Sequence, residues 1–386
     1  MKIGILTQPL SQNYGGILQA FALQSVLKKM GFEVWIINRD YINIPWWRKM
    51  ASIGKGFIVR YILGDRQREL FVFRPTEKQK RSVGRHIALF INREIYPLNP
   101  SLKKKRNFFR EIKKHGFMAY VIGSDQVWRP CFSPCITNYF LDFVKKEKDI
   151  KRVAYAASFG VDDWEFTEDQ TRECKELVKL FNAVSVREDS GILLCRKYLG
   201  VDAKLVLDPT LLLYKEDYIN LVHKWQEEPY REKLMTYILD TTAEKTDIIR
   251  QVASGLGMSP FSLMPSKLLN KENQHDIENC VFPSVTSWLR GFMDAEFVIT
   301  DSFHGCVFSI IFNKPFLVIG NHERGMARFN SLLKLFELED RLIHSIRELD
   351  ENKMKTEIDW DRINLIKAEW KEYSLNFLKM NLSVDV

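Results

Sequence analysis

Two successive series of short apolar runs, each alternating with helical patterns, constrain this chain more than any other feature. Residues 2–7 (Lys-Ile-Gly-Ile-Leu-Thr) form the first run, a polar turn with paired glycines follows, and helical spacing then holds from 17 to 30, where Gly31 closes it. Residues 33–38 read as the next strand, so the chain opens as a βαβ unit, which implies a parallel sheet. Buried strands are expected again at 119–122, 153–157, 183–186 and 204–207. The second series comprises 234–239, 259–263, 280–282, 297–300 and 316–319, with helices at 244–254 and 284–294. The expectation is an α/β protein with two Rossmann-like domains face to face.

The 386 residues exceed what one hydrophobic core organises. The polar stretch 214–232 marks the boundary, giving a first domain over 1–213 and a second over 214–355. Within the first, 41–116 loses strand signals and turns basic and aromatic, which predicts a helical insertion. Residues 356–386 contain an amphipathic helix, about 360–379, expected to pack back across the first domain.

No apolar run reaches the roughly 18 residues that span a bilayer, and the N-terminus lacks a signal-peptide core. A cytoplasmic protein is expected. Its six cysteines are dispersed, and Cys131 with Cys135 lacks a second ligand pair, so they read as reduced structural thiols with no metal site. The net charge of +8 suits anionic partners. Much of the excess is local, at Lys103 to Arg106 and Trp46 to Lys49. Those patches read either as solvated basic faces or as peripheral contacts with anionic membrane; no motif for nucleic acid accompanies them.

In open parallel sheets ligands bind beyond the carboxyl ends of strands, so the residues following each strand carry the functional reading. Asn13-Tyr14-Gly15-Gly16 puts two glycines ahead of a helix, suited either to a tight turn or to an anion at the helix N-terminus, with Gln19 one turn on. Gly123-Ser124-Asp125-Gln126 supplies a carboxylate to orient or deprotonate a sugar hydroxyl, or an ordinary helix cap. Arg187 ends an apolar strand and delivers a guanidinium to the cleft, unless it pairs with Glu188 or Asp189. Asp208-Pro209-Thr210 reads as a boundary turn whose carboxylate pairs with a cation. The sharpest segment is Asp301-Ser302-Phe303-His304-Gly305, placed between a strand and an apolar helix, where an imidazole meets an anion or moves a proton. Asn321, His322, Arg324 and Arg328 follow the next strand as surface charges or phosphate contacts.

Taken together, these segments resemble the polysaccharide pyruvyl transferase family. The resemblance runs through Asn13 to Gln19, Gly123 to Trp128, Ser185 to Glu188, Leu207 to Leu212 and Asp301 to Gly305, and leaves out 41–116 and the C-terminal tail. It implies a glycosyltransferase-B-like architecture, no required metal or cofactor, and transfer of a pyruvyl group from phosphoenolpyruvate to a sugar hydroxyl pair as a ketal. The family's donor-pocket arginine and histidine fall on Arg187 and His304. Ser302 departs from branches that carry arginine there, leaving Arg187, Arg324 or Lys314 to supply the missing cation.

On that resemblance, a proton reaches the methylene carbon of phosphoenolpyruvate, one sugar hydroxyl attacks the adjacent carbon, and a second expels phosphate. Arg187 and Arg324 would hold the donor, His304 would contact phosphate or move a proton, and Asp125 or Asp301 would activate the hydroxyl. The sugar acceptor would be free, lipid-linked or nucleotide-linked. Two rivals remain: a nucleotide-sugar glycosyltransferase, recognised by a nucleoside diphosphate product, and a non-catalytic glycan-binding protein, recognised by binding without turnover.

Overall fold

The computed structural model describes residues 1–41, 73, 75–103, 105–321 and 325–383. Trp46 to Lys49, His322 and Arg324 lie outside the described residues.

Six strands form the first sheet: β1 (Lys2–Leu6), β2 (Glu33–Ile36), β3 (Ala119–Ile122), β4 (Lys151–Ala157), β5 (Ala183–Val186) and β6 (Lys204–Leu205). Their order is β2-β1-β3-β4-β5-β6, with every neighbour parallel. Five more form the second: β7 (Leu234–Tyr237), β8 (Pro260–Ser262), β9 (Phe297–Thr300), β10 (Phe316–Ile319) and β11 (Leu342–Ile343). That sheet runs β11-β10-β9-β7-β8 and is likewise parallel throughout. The two sheets with their crossover helices make the two Rossmann-like halves of a glycosyltransferase-B-like α/β fold. Strand order reverses between β1 and β3 in one sheet and between β7 and β9 in the other. Crevices open at such switch points.

Strands β1, β3 and β9 are buried on both faces, which is why they read as unbroken apolar runs. Where the sequence suggests a strand at 280–282, the chain instead makes a short 3-10 turn, Glu278–Cys280, and Phe282 donates its amide to Val83 outside either sheet. The edge strand β11 has two residues, too few to show a period. Helix Tyr14–Lys29 begins three residues before its apolar spacing, because Asn13 caps it by accepting from the Gly16 amide and both glycines sit inside the first turn. In the described part of 41–116 the helices are Glu77–Val83, Arg85–Glu94 and Lys105–Lys114.

One apolar core runs through both halves. Tyr14 leaves the first half to stack on Trp288, with centroids 5.5 Å apart, and donates its hydroxyl to the Pro283 carbonyl. Helix Trp360–Leu382 returns to the first sheet, where Ser374 accepts from the Leu207 amide and Phe377 meets Tyr155. No described helix is long and apolar enough to cross a membrane. All six cysteines are free thiols.

Candidate active site

The two switch points meet. A Cβ on Gly15 would fall 2.0 Å from His304 Nδ1, so the imidazole lies directly on the glycine backbone of the opposite half. Gly15 therefore serves close approach between halves. A Cβ on its neighbour Gly16 would stand 3.4 Å from Asp125 Oδ2. The helix starting at Tyr14 and the helix Phe303–Phe312 thus direct their N-terminal turns at shared ground, where backbone amides and dipoles favour an anion.

Asp208 is the hub of this ground. Its Oδ2 accepts from Arg187 at 2.7 Å and from Ser124 Oγ at 3.2 Å, while Oδ1 accepts from the amide and hydroxyl of Thr210. His304 Nε2 stands 3.7 Å from Oδ2, too long for a hydrogen bond but close enough for an ion pair when the ring is protonated. That nitrogen is buried and has no hydrogen bond among the described residues. Burial alone would raise the Asp208 carboxyl, but His304, Arg187 and Thr210 outweigh it and hold the group well below the usual carboxylate range.

Arg187 bridges the two carboxylates, giving its second nitrogen to Asp125 Oδ1 at 3.2 Å. Burial works against the Asp125 anion, yet Arg187, His304 and Arg328 pull its titration below the ordinary value. Asp125 Oδ1 also accepts from the Gln126 amide, whereas Oδ2 has no hydrogen bond among the described residues and faces the exposed mouth at Gly16 and Asn13. Pairing of Arg187 with Glu188 or Asp189 does not occur. Glu188 turns instead to Ser158, Phe159 and Gly160, and burial raises its carboxyl.

Several expected ligand contacts are engaged structurally. Both Asp301 oxygens are occupied, by the Leu239 amide, the Asp240 amide and the Lys245 ammonium at 2.6 Å, and the residue is sealed. It braces the loop after β7. Gln19 ties Thr7, the Gly16 carbonyl and the Ser124 amide together. Gly123 has φ 121° and abuts the Tyr155 carbonyl, and Gly305 abuts Thr300 Oγ1. Asn321 donates to Asp240. Lys314 sits before β10, at the end away from the crevice, so it cannot compensate for Ser302. Ser302 itself is buried at the N-cap without a side-chain cap bond.

Arg328 is the residue that sequence reasoning undervalued. It is buried, not a surface charge, and its guanidinium lies 5.5 Å from the Phe303 ring, which Arg187 approaches at 4.5 Å. Burial and the nearby Arg187 charge bring its titration down to about 10. A cavity of about 10 Å³ adjoins this cluster, lined by residues that include Arg187, Asp208, Phe303 and Ser331. A larger cleft of about 770 Å³ opens between the halves beyond β1, among Leu10, Gln12, Tyr41, Arg81, Leu268 and Phe282. Among the described residues no group of three His, Cys, Asp or Glu side chains is placed to hold a metal.

The buried charged cluster thus lies where the two parallel-sheet halves of this α/β protein meet. The chain belongs to the polysaccharide pyruvyl transferase family, whose model matches residues 13–323, and it is accordingly an enzyme that transfers pyruvyl groups in polysaccharide assembly. No curated protein matches the sequence. Among solved structures it is similar to the UDP-GlcNAc 2-epimerase of Neisseria meningitidis bound to UDP-GlcNAc, at 9% identity and TM-score 0.48, over 100% of this chain and 95% of that one. The UDP-GlcNAc 2-epimerase of Methanocaldococcus jannaschii aligns at 12% identity and TM-score 0.47, over 98% and 100%. A UGT transferase from Siraitia grosvenorii in complex with UDP aligns at 10% and 0.46, over 99% and 100%.

Proposed function

We propose that the enzyme takes its pyruvyl group from phosphoenolpyruvate and sets it as a ketal on two hydroxyls of a sugar, releasing phosphate. The observation that carries this reading is the seating of His304 on Gly15, within 3.7 Å of Asp208, which brings an imidazole and two helix N-termini to one place. The donor's anionic groups lie against those N-termini, with Arg328 as the nearby cation. His304 delivers a proton to the methylene carbon, and Asp125 Oδ2 takes one from the attacking hydroxyl. The new C–O bond forms at the carbon bearing the phosphate ester; the second hydroxyl then forms the other C–O bond as the phosphate C–O bond breaks, and its proton leaves on the phosphate. Arg187 acts through the two aspartates as a positioning residue.

In this reading residues 1–213 form the acceptor half, 214–355 the donor half, and 356–386 the segment that ties them. The cleft beyond β1 takes a sugar on a lipid or nucleotide carrier, and the protein works in the cytoplasm at the inner face of the membrane. Of the basic run, Lys103 lies 3.5 Å from Asp40, which leaves less of its charge for lipid. Mass spectrometry of lipid-linked glycans incubated with enzyme and phosphoenolpyruvate tests the reaction. A pyruvate ketal with released phosphate supports it; a nucleoside diphosphate formed from a nucleotide sugar supports the glycosyltransferase alternative.

A further inference from the structure

A second groove, of about 690 Å³, lies on the far side of the helix that bears His304. Small-molecule sites span about 300–1,000 Å³. Three elements wall it: the linker at 211–216, Asn313 at the C-cap of helix Phe303–Phe312, and helix Trp360–Leu382. That first helix has 10 residues, so the groove stands roughly 15 Å from the catalytic turn.

Four lysines line it, Lys215, Lys367, Lys371 and Lys379, against two acids, Glu216 and Glu372. The spacing of 367, 371 and 379 puts them on one helix face. Lys371 Nζ is buried without a hydrogen bond among the described residues and stands 3.0 Å from the centroid of the Tyr214 ring. Burial lowers that ammonium to about 8 although Asp217 and Glu216 oppose the shift, and burial with Lys215 also lowers Lys367 against Glu216. A desolvated ammonium is costly until an anion meets it. Asn313 Oδ1 in the same wall is buried without a donor among the described residues. Lys367 Nζ donates to Asn364 Oδ1 of the same wall at 2.7 Å, so one unmet ammonium, Lys371, and one unmet acceptor, Asn313, share the groove and call for an anion that carries a hydroxyl.

We propose that this groove binds a phosphate ester of a polyol through Lys215, Lys367, Lys371 and Lys379, with Asn313 receiving a hydroxyl. Its occupant touches the linker, the returning helix and the far end of the His304 helix, so it bears on how the halves approach. The same chemistry exists as a soluble sugar phosphate or as a lipid headgroup.

The test uses the full chain with two probes: glycerol 3-phosphate by titration calorimetry, and phosphatidylglycerol vesicles by co-sedimentation against phosphatidylcholine controls. At least one probe binds wild type, and Lys367→Ala/Lys371→Ala weakens it about tenfold or more, whereas His304→Ala does not. Binding of the soluble probe identifies a metabolite site; binding of vesicles alone identifies a headgroup site. Failure of both probes, equal binding by the lysine variant, or loss in His304→Ala instead overturns the proposal. If circular dichroism shows the double variant unfolded, Lys215→Ala/Lys379→Ala decides: weaker binding supports the site and unchanged binding removes it.

Discussion

His304 of the second half holds its Nε2 3.7 Å from Asp208 Oδ2 of the first, so the imidazole and the carboxylate that faces it belong to different sheets. Neither half contains the site alone. Contact between the halves brings its residues together, and Asp208 ties them to Arg187, Ser124 and Thr210.

Replacing Asp208 by Asn keeps the shape and removes the charge, leaving Arg187 buried with Asp125 as its remaining carboxylate. Breaking a buried pair from one side costs about 3–5 kcal/mol. Urea unfolding of Asp208→Asn is expected to show a loss of that size, with kcat falling more than KM rises. Wild-type stability in the variant would remove Asp208 from the hub.

Gly15→Ala tests the contact between the halves. Its Cβ would stand 2.0 Å from His304 Nδ1 and 2.6 Å from His304 Cβ in a buried seam, so the ring and its backbone must shift. Overpacking of this type costs about 1–3 kcal/mol, so the melting temperature is expected to fall. Turnover per folded molecule is expected to drop about 10²-fold, the scale of an ångström-sized misplacement. Full activity would mean that His304 works without this contact.

Asp301→Asn tests the reassignment of that residue. Its carboxylate meets Lys245 at 2.6 Å in a sealed site, so the variant leaves an ammonium without its anion and should unfold about 3–5 kcal/mol more easily. Activity per folded molecule should stay near wild type. Collapse of activity in fully folded protein would return Asp301 to the chemistry.

Acid stability follows from the two site aspartates. Both titrate lower folded than the roughly 3.9 of an unfolded aspartate. Their stabilisation is therefore complete above about pH 4 and is lost as pH falls through the folded values. Glu188 acts oppositely: its raised carboxyl favours the fold at low pH and costs stability as pH rises. Urea midpoints measured from pH 7 to pH 3 should fall below about pH 4, and less steeply in Asp208→Asn. Parallel slopes for the two proteins would show that Asp208 is not depressed.

The strands and the crevice were legible because buried parallel strands are short apolar runs and ligands gather at their carboxyl ends. That rule placed Asp125, Arg187 and His304 near one another before any contact was known. It could not assign partners. Arg187 meets Asp208 rather than its neighbour Glu188 because the turn after β6 folds back under the end of β5, a relation between loops that leaves no period in the sequence. Asp301 looked free because the Lys245 that occupies it comes from the helix after β7. Arg328 stayed open between a surface charge and a phosphate contact because its own helix shows no distinguishing pattern; its burial beside the Phe303 ring of the neighbouring helix removes the first.

The most direct test is acceptor-dependent phosphate release from phosphoenolpyruvate, compared between folded wild type and folded His304→Ala. Wild type should release phosphate as the ketal forms, and the variant should be slower by about 10²–10⁴-fold. Phosphate released by His304→Ala at the wild-type rate would contradict the account.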